Sequence, residues 1–432
     1  DVRATQINEA MKLAAVYAIA NLAKESVPDY VNIAYNSKNL SFGPEYIIPK
    51  PLDPRLIYWV APAVAKAAIE SGVAREPIKD WKKYELELMQ RLGLDNKLVR
   101  NLTEKAKRSP KKVVFAEADN YKILKAAAMA YEEGIAIPIL LGKRHNIQKI
   151  IDEYNLDLSK CEIIDPRNES EIKHREMFAE ILHEKRKRRG LTFYEAKKLM
   201  RERNYYAAAM VETGMADVMI SGLTRSYKES IRPALKVIGI EESVNKIAGM
   251  YILLSKDGPI FFADTTININ PSLEEIVDIT LLVAKTVKEY NIKPKIALLS
   301  YSNFGSNQGA DAIKMREATK VLHEKHPEIV VDGELQANFA VNKELRNDFF
   351  PFSLLSGQNT NTLIFPNLSA GNIAYKLVKE MSNQETIGPI LLGMKKPVHV
   401  LQIGSTVREI VNMLAIATVD AQLREEEERK VE

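Results

Sequence analysis

Five short stretches of this 432-residue sequence follow apolar runs and carry small, hydroxyl, amide or charged residues. In "SGLTRSYKESIRPALKVIG", Ser221, Gly222, Thr224 and Ser226 precede a helical pattern that contains Arg232 and Pro233. Hydroxyls and free backbone N–H groups at a helix start, backed by a guanidinium, suit a phosphate or carboxylate. Ordinary helix capping uses the same residues, so spacing alone leaves both readings open. In "SYSNFGSNQG", Gly305 permits a tight turn and Ser302, Asn303 and Ser306 supply donors, with a plain loop as the alternative. In "DGELQANFA", period-two alternation puts Asp332, Glu334 and Gln336 on one face of a strand. Paired carboxylates suit acid–base work or a cation, or they simply solvate a strand end. In "NLSAGNIAYK", Ser369, Ala370, Gly371 and Asn372 stand where they could cap the next helix. The last stretch, "KPVHVLQIGSTVREIV", reads as a buried strand, a sharp turn at Gly404 and a helix start at Thr406. Strand-to-helix turns of this kind often hold phosphates or catalytic groups. Yet its tip, Gln402-Ile403-Gly404, offers no strong nucleophile, no charge and no base.

The elements that must position these turns follow from texture. Residues 1–35 look helical, with Thr5 as the expected N-cap, and a proline-punctuated stretch "FGPEYIIPKPLDPRLI" comes next. A small-residue helix is expected over Val60–Ser71, stopped by Gly72, and a charged helical connector over 80–108. From Lys111 strand and helix alternate. "KKVVFAEA", "IAIPILLG", "ADVMISG", "KIALLSYS", "EIVVDGELQ", "NTLIFPN" and "PVHVLQIG" are apolar runs of the kind buried on both faces. Helical stretches lie between most of them, which predicts mostly parallel sheets with crossover helices, an α/β fold. Gly134 is placed as a helix stop, and Ser272 with Glu275 predicts a capping box.

Composition narrows the function. The length suffices for two or three domains. A net charge of +4 demands no nucleic acid partner, and no apolar run is long enough to span a membrane. The single cysteine, Cys161, excludes an internal disulfide and a cysteine-rich metal cluster, and fits a reducing compartment. The dinucleotide fingerprint, the P-loop, H-E-x-x-H and C-x-x-C are all missing, and the six histidines show no ligand spacing. The basic run "EKRKRRG" reads first as a solvated helix face and second as a contact for an anionic cofactor's phosphates. The sequence opens mid-pattern without Met, as a piece of a longer protein would.

Taken together, the turns resemble a known family. Residues from about 110 to 425 are similar to phosphate acetyltransferase (phosphotransacetylase) in "AMAYEEGIAIPILLG", "ETGMADVMISG", "IRPALKVI", "FFADTTININPS", "LSYSNFGSN", "VDGELQANFA", "LIFPNLSAGNIAYK" and "TIGPILLGMKKPV". The resemblance implies two α/β subdomains of isocitrate dehydrogenase-like architecture with a substrate cleft between them, and acetyl transfer between phosphate and coenzyme A. Residues 1–80 resemble instead the end of a bacterial malic enzyme, in "DVRATQINEAMKLAAVYAIANLA", "FGPEYIIPKPLDPRL" and "VAPAVAKAAIESGVA". The combined layout resembles the C-terminal part of the hybrid, NADP-dependent malic enzymes. Expected boundaries are then 1–80 for the malic enzyme end, 81–108 for the connector, 109–248 with 392–432 for one subdomain, and 249–391 for the other.

The same resemblance marks departures. In active members the turn after "KPV" carries a Ser-Arg pair and then an Asp in the next helix. Here Gln402 and Ile403 replace the pair, and Glu409 stands near the Asp position. A lysine of the "S-T-K-G-S" loop becomes Phe304, and a histidine becomes Arg225. One lost oxyanion donor costs about two to three orders of magnitude in rate, so several losses argue against acetyl transfer. Thr406 and Glu409 also spell a capping box, which gives the carboxylate a structural task. The expectation is a regulatory, acetyl-CoA-binding domain of a malic enzyme, with Ser221, Thr224, Ser226, Arg232, Ser302, Asn303, Gly305, Ser306 and Gln402 around the effector. The alternatives are a working phosphate acetyltransferase and a structural oligomerisation domain without ligand. NADP and Mg or Mn would belong upstream of Asp1, with no metal site in this chain. A cytoplasmic homo-oligomer, at least a dimer through the region after residue 110, completes the expectation.

Overall fold

The structure, a computed structural model, describes residues 1–25, 27, 31, 32, 35, 37, 40–91, 96–242, 244–255, 258–382 and 384–431. The chain divides into two compact units, Asp1–Lys97 and Leu98–Glu432.

The first unit is helical. Its helices are Glu9–Lys24, Arg55–Glu70 and Trp81–Arg91, and Met11, Ala65, Ala68, Tyr84 and Leu88 make their shared core. Small residues at 65 and 68 let the first two helices approach closely. The expected N-cap at Thr5 is corrected to Asn8, whose side chain accepts from the N–H of Met11 at 3.0 Å, while Thr5 pairs with Val73. The second helix begins five residues before Val60, because Pro54 presets its first turn. Of the helical stretch expected to residue 35, residues 26, 28–30, 33 and 34 lie outside those described, and the connector is described as the helices Trp81–Arg91 and Lys97–Arg108, with 92–95 outside those described.

The second unit contains two sheets. The first is fully parallel in the order β11-β4-β1-β2-β3, with β1 Lys111–Phe115, β2 Ala136–Leu141, β3 Glu162–Ile164, β4 Val218–Ser221 and β11 Val398–Val400. The second runs β10-β5-β6-β9-β7-β8, with β5 Ala248–Ser255, β6 Gly258–Ala263, β7 Lys295–Leu299, β8 Val330–Leu335, β9 Thr362–Ile364 and β10 Thr386–Leu392. Its β6, β9, β7 and β8 are parallel, and β5 and β10 add an antiparallel edge. The chain is therefore a mixed α/β protein with mostly parallel sheets. Seven apolar runs are strands as expected; the short β3 and the β5, β6 and β10 group at the antiparallel side of the second sheet carried no separate signal, because antiparallel neighbours need no crossover helix to announce them.

Local sequence sets the helix starts. Capping boxes close at Thr192/Glu195, Ser226/Glu229 and the expected Ser272/Glu275. The helix Tyr121–Glu132 begins at Asn120 and ends before Gly134, whose φ of +70° suits glycine. In Leu273–Glu289, buried Ile276, Ile279, Val283 and Val287 form one stripe, each burial worth about 1.5–3 kcal/mol. The long helix Val407–Val431 follows β11 and packs on the first sheet through Ile410, Met413, Leu414 and Ala417. Among the described residues, no helix is long and apolar enough to cross a membrane.

Candidate functional site

A cavity of about 320 Å³ lies where the second sheet meets the turn that follows β11. Four pieces of chain wall it. Tyr251, Thr386 and Gly388 come from β5 and β10; Tyr375, Lys376, Lys379 and Glu380 come from the helix Leu368–Ser382; Gln402–Ser405 and Glu409 close the remaining side. Helical spacing explains the second wall, since residues 375, 376 and 379 share one face. Gly371 explains why that helix sits so close to the sheet. A Cβ there would lie 2.4 Å from the Asp264 carbonyl oxygen, so only glycine fits.

The rings of Tyr251 and Tyr375 stack, with centroids 4.1 Å apart and planes 14° from parallel. Burial, then the neighbouring Tyr375, pushes the Tyr251 hydroxyl far above its ordinary range, so it offers no phenolate near neutral pH. Gln402 donates its amide to the Tyr375 hydroxyl at 2.7 Å. Ile403 points to solvent and is 71% exposed, and Gly404 turns the chain with a φ of +92°. Glu409 is fully engaged: its carboxylate accepts from the Thr406 N–H at 2.9 Å, and Lys379 Nζ sits 2.9 Å from its other oxygen. The Glu409 N–H in turn reaches Thr406 Oγ1 at 3.2 Å, which closes the capping box. Beside it, burial pushes the Glu385 carboxyl up, opposed by Arg408 at 2.7 Å. The site thus combines an aromatic wall with two ammonium groups, the engaged Glu409 and the exposed carboxylate of Glu380 at its rim.

The remaining expected residues stand elsewhere. Ser221 is buried and its hydroxyl donates to Asn204 Oδ1 at 2.6 Å. The N–H of Thr224 is held by Glu117 at 3.0 Å, and Ser226 is a helix cap. Arg232 is exposed and has no ion-pair partner among the described residues. This turn adjoins the chain leading to the 402–405 turn: the Leu401 N–H donates to the Ser221 carbonyl at 2.7 Å, and Gly222 lies against Val400 and Leu401. Arg225 pairs with Glu202 at 2.6 Å.

The 300–309 turn is organised by Glu334. Its carboxylate accepts from Ser302 Oγ at 2.7 Å and from the Gly305 N–H at 2.8 Å. Ser302 also meets Ser306 Oγ at 3.1 Å, and Asn303 Oδ1 accepts the Gln336 N–H at 2.8 Å. Phe304 packs edge-on against Phe350 and Phe352. The expected common face of Asp332, Glu334 and Gln336 is corrected. The β7–β8 register shifts between Leu298 and Leu299, and an extra residue breaks period-two alternation. Asp332 instead holds Ser353 Oγ at 2.7 Å and the Leu354 N–H at 2.8 Å, and Gln336 lies beyond the strand as a helix cap. The cap expected from Ser369–Asn372 is also corrected: Asn367 accepts from the Ala370 N–H, and 369–372 are already helical. Among the described residues, no group of three His, Cys, Asp or Glu side chains could hold a metal.

Of the residues singled out in the sequence, Gln402, Ile403 and Glu409 line the cavity, together with Tyr251, Tyr375, Lys376 and Lys379, which the sequence did not single out. The i, i+3 pair of lysines beside a tyrosine in "AYKLVK" was the available signal for three of them.

The family model for "Phosphate acetyl/butaryl transferase" matches residues 97–418. An NADP-dependent malic enzyme of Escherichia coli is 42% identical over 427 residues, which cover 98% of this chain and 56% of that protein. The chain therefore spans about half the length of the malic enzymes it matches, 56% of the one from Escherichia coli. A phosphate acetyltransferase of Clostridium acetobutylicum is 35% identical over 332 residues, covering 75% of this chain and 98% of that protein. Among solved structures, a phosphotransacetylase from Streptococcus pyogenes superposes with a TM-score of 0.69 at 34% identity, over 75% of this chain and 98% of that one.

Proposed function

The chain belongs to the phosphate acetyl/butaryl transferase family and is homologous to the C-terminal part of NADP-dependent malic enzymes, and from that premise we propose that it is a ligand-binding regulatory domain without acetyltransferase activity. In this reading the whole protein converts malate to pyruvate and carbon dioxide with NADP and a divalent metal held upstream, and acetyl-CoA is the effector. The observation that carries the reading is the state of Glu409. Its carboxylate is committed to the Thr406 N–H and to Lys379, so it cannot serve as a general base without giving up both. Gln402 is committed to Tyr375, and Ile403 brings no charge to the same turn. The cavity beside them keeps room and cationic groups for a ligand. Feedback of this kind requires unequal effector affinity for two states of the enzyme.

Two measurements test it. A coupled assay with acetyl phosphate and coenzyme A should show turnover at least about a thousandfold below a working family member, the cost of losing one or more oxyanion donors. Turnover within tenfold of that member would establish the enzyme reading instead. Calorimetry with acetyl-CoA should give saturable heat; a flat trace would favour a structural domain that only joins copies of the chain. Light scattering of the unit after residue 98 should return at least a dimer, as expected for a cytoplasmic homo-oligomer of this family.

A further inference from the structure

The cavity holds a feature that the family resemblance does not supply: its two lysines are in different electrostatic states. Lys376 is exposed and has no ion-pair partner among the described residues, whereas Lys379 is half-buried and paired with Glu409 at 2.9 Å. Glu409 does not depend on that lysine. Its other oxygen accepts the Thr406 N–H, and it sits in the first turn of the helix Val407–Val431, where unpaired N–H groups and the helix dipole favour a negative charge. Lys379 can therefore leave Glu409 without stranding a buried carboxylate, which is the usual obstacle to opening an ion pair. The pair is also partly solvated, with side-chain exposures of 34% and 18%, so it is held weakly. The other acidic group on the wall, Glu380, is exposed at the rim and screened by water.

We infer that Lys379 is an exchangeable reader of phosphorylated ligands: it leaves Glu409 for a phosphate held jointly with Lys376, while the ligand's uncharged part lies against the Tyr251–Tyr375 stack. The two ammonium groups stand three residues apart on one helix face, one turn of spacing that suits a phosphate or diphosphate. The exchange alters the start of the C-terminal helix at Thr406–Glu409, so occupancy reaches an element that packs on the first sheet. This inference rests on the reading of the cavity as the effector site and assigns its chemistry.

The test is calorimetry on the full chain with three probes: acetyl-CoA, inorganic pyrophosphate, and acetyl-pantetheine, which carries no phosphate. Lys379→Met should weaken acetyl-CoA and pyrophosphate about tenfold or more, the loss expected of a charge-assisted hydrogen bond, and leave acetyl-pantetheine unaltered. Glu409→Gln keeps an acceptor for the Thr406 N–H but frees the lysine, so it should strengthen phosphate-bearing probes by about two- to fivefold, the worth of a partly exposed ion pair. Circular dichroism should show both variants folded. Binding that is equal in wild type, Lys379→Met and Glu409→Gln overturns the exchange while leaving the effector reading intact. No heat from any probe with the wild-type chain overturns both.

Discussion

The turns at 302–306 and 402–405 occupy equivalent places after parallel strands, and they have opposite character. The first is a closed knot. Glu334 is fully buried and holds Ser302 and the Gly305 backbone, while Phe304 is packed into a cluster of phenylalanines. The second is open. The Gln402 amide and the Ser405 backbone are tied to neighbours, Ile403 faces water, and a cavity lies alongside. Phe304 and Ile403 put uncharged side chains at the tips of both turns, in different settings. An aromatic ring in a crowded turn becomes part of the core. An aliphatic side chain on an open turn leaves the space beside it unfilled.

The contrast can be broken most directly at Glu334. Glu334→Ala removes the acceptor for two donors in a buried turn, and urea unfolding should show a loss of about 3 kcal/mol. A loss below about 1 kcal/mol, the net worth of one ordinary hydrogen bond, would mean that the turn holds itself and is no knot. Glu409→Ala probes the open side. It deletes one half of a capping box and a weak ion pair, so the expected cost is about 1 kcal/mol by the same measurement. The smallest effect is expected at Ile403. Its side chain is exposed, so Ile403→Ser should change stability by less than about 0.5 kcal/mol. A larger loss there would show that the open turn is structurally committed after all.

Much of this arrangement was legible in the residues. The apolar runs named the parallel strands because strands covered on both faces cannot carry polar alternation. Thr406 with Glu409 and Ser272 with Glu275 named their caps because the bonds span only three residues. Reach limits what such local patterns say. The antiparallel β5 and β10, the shifted register at Leu299 that sends Asp332 and Glu334 to different partners, and the Asn367 cap all depend on which chains lie alongside.

Sequence by itself determined seven of the parallel strands, the family, and the chemical poverty of the 402–404 tip, because each of these is a property of residues adjacent in the chain. Only the tertiary structure decided that Lys379, thirty positions before Glu409, is its partner, that Tyr251 stacks on Tyr375, and that Gln402 ends on that tyrosine. These contacts join segments far apart in the chain, and no local spacing encodes a distance that folding alone closes.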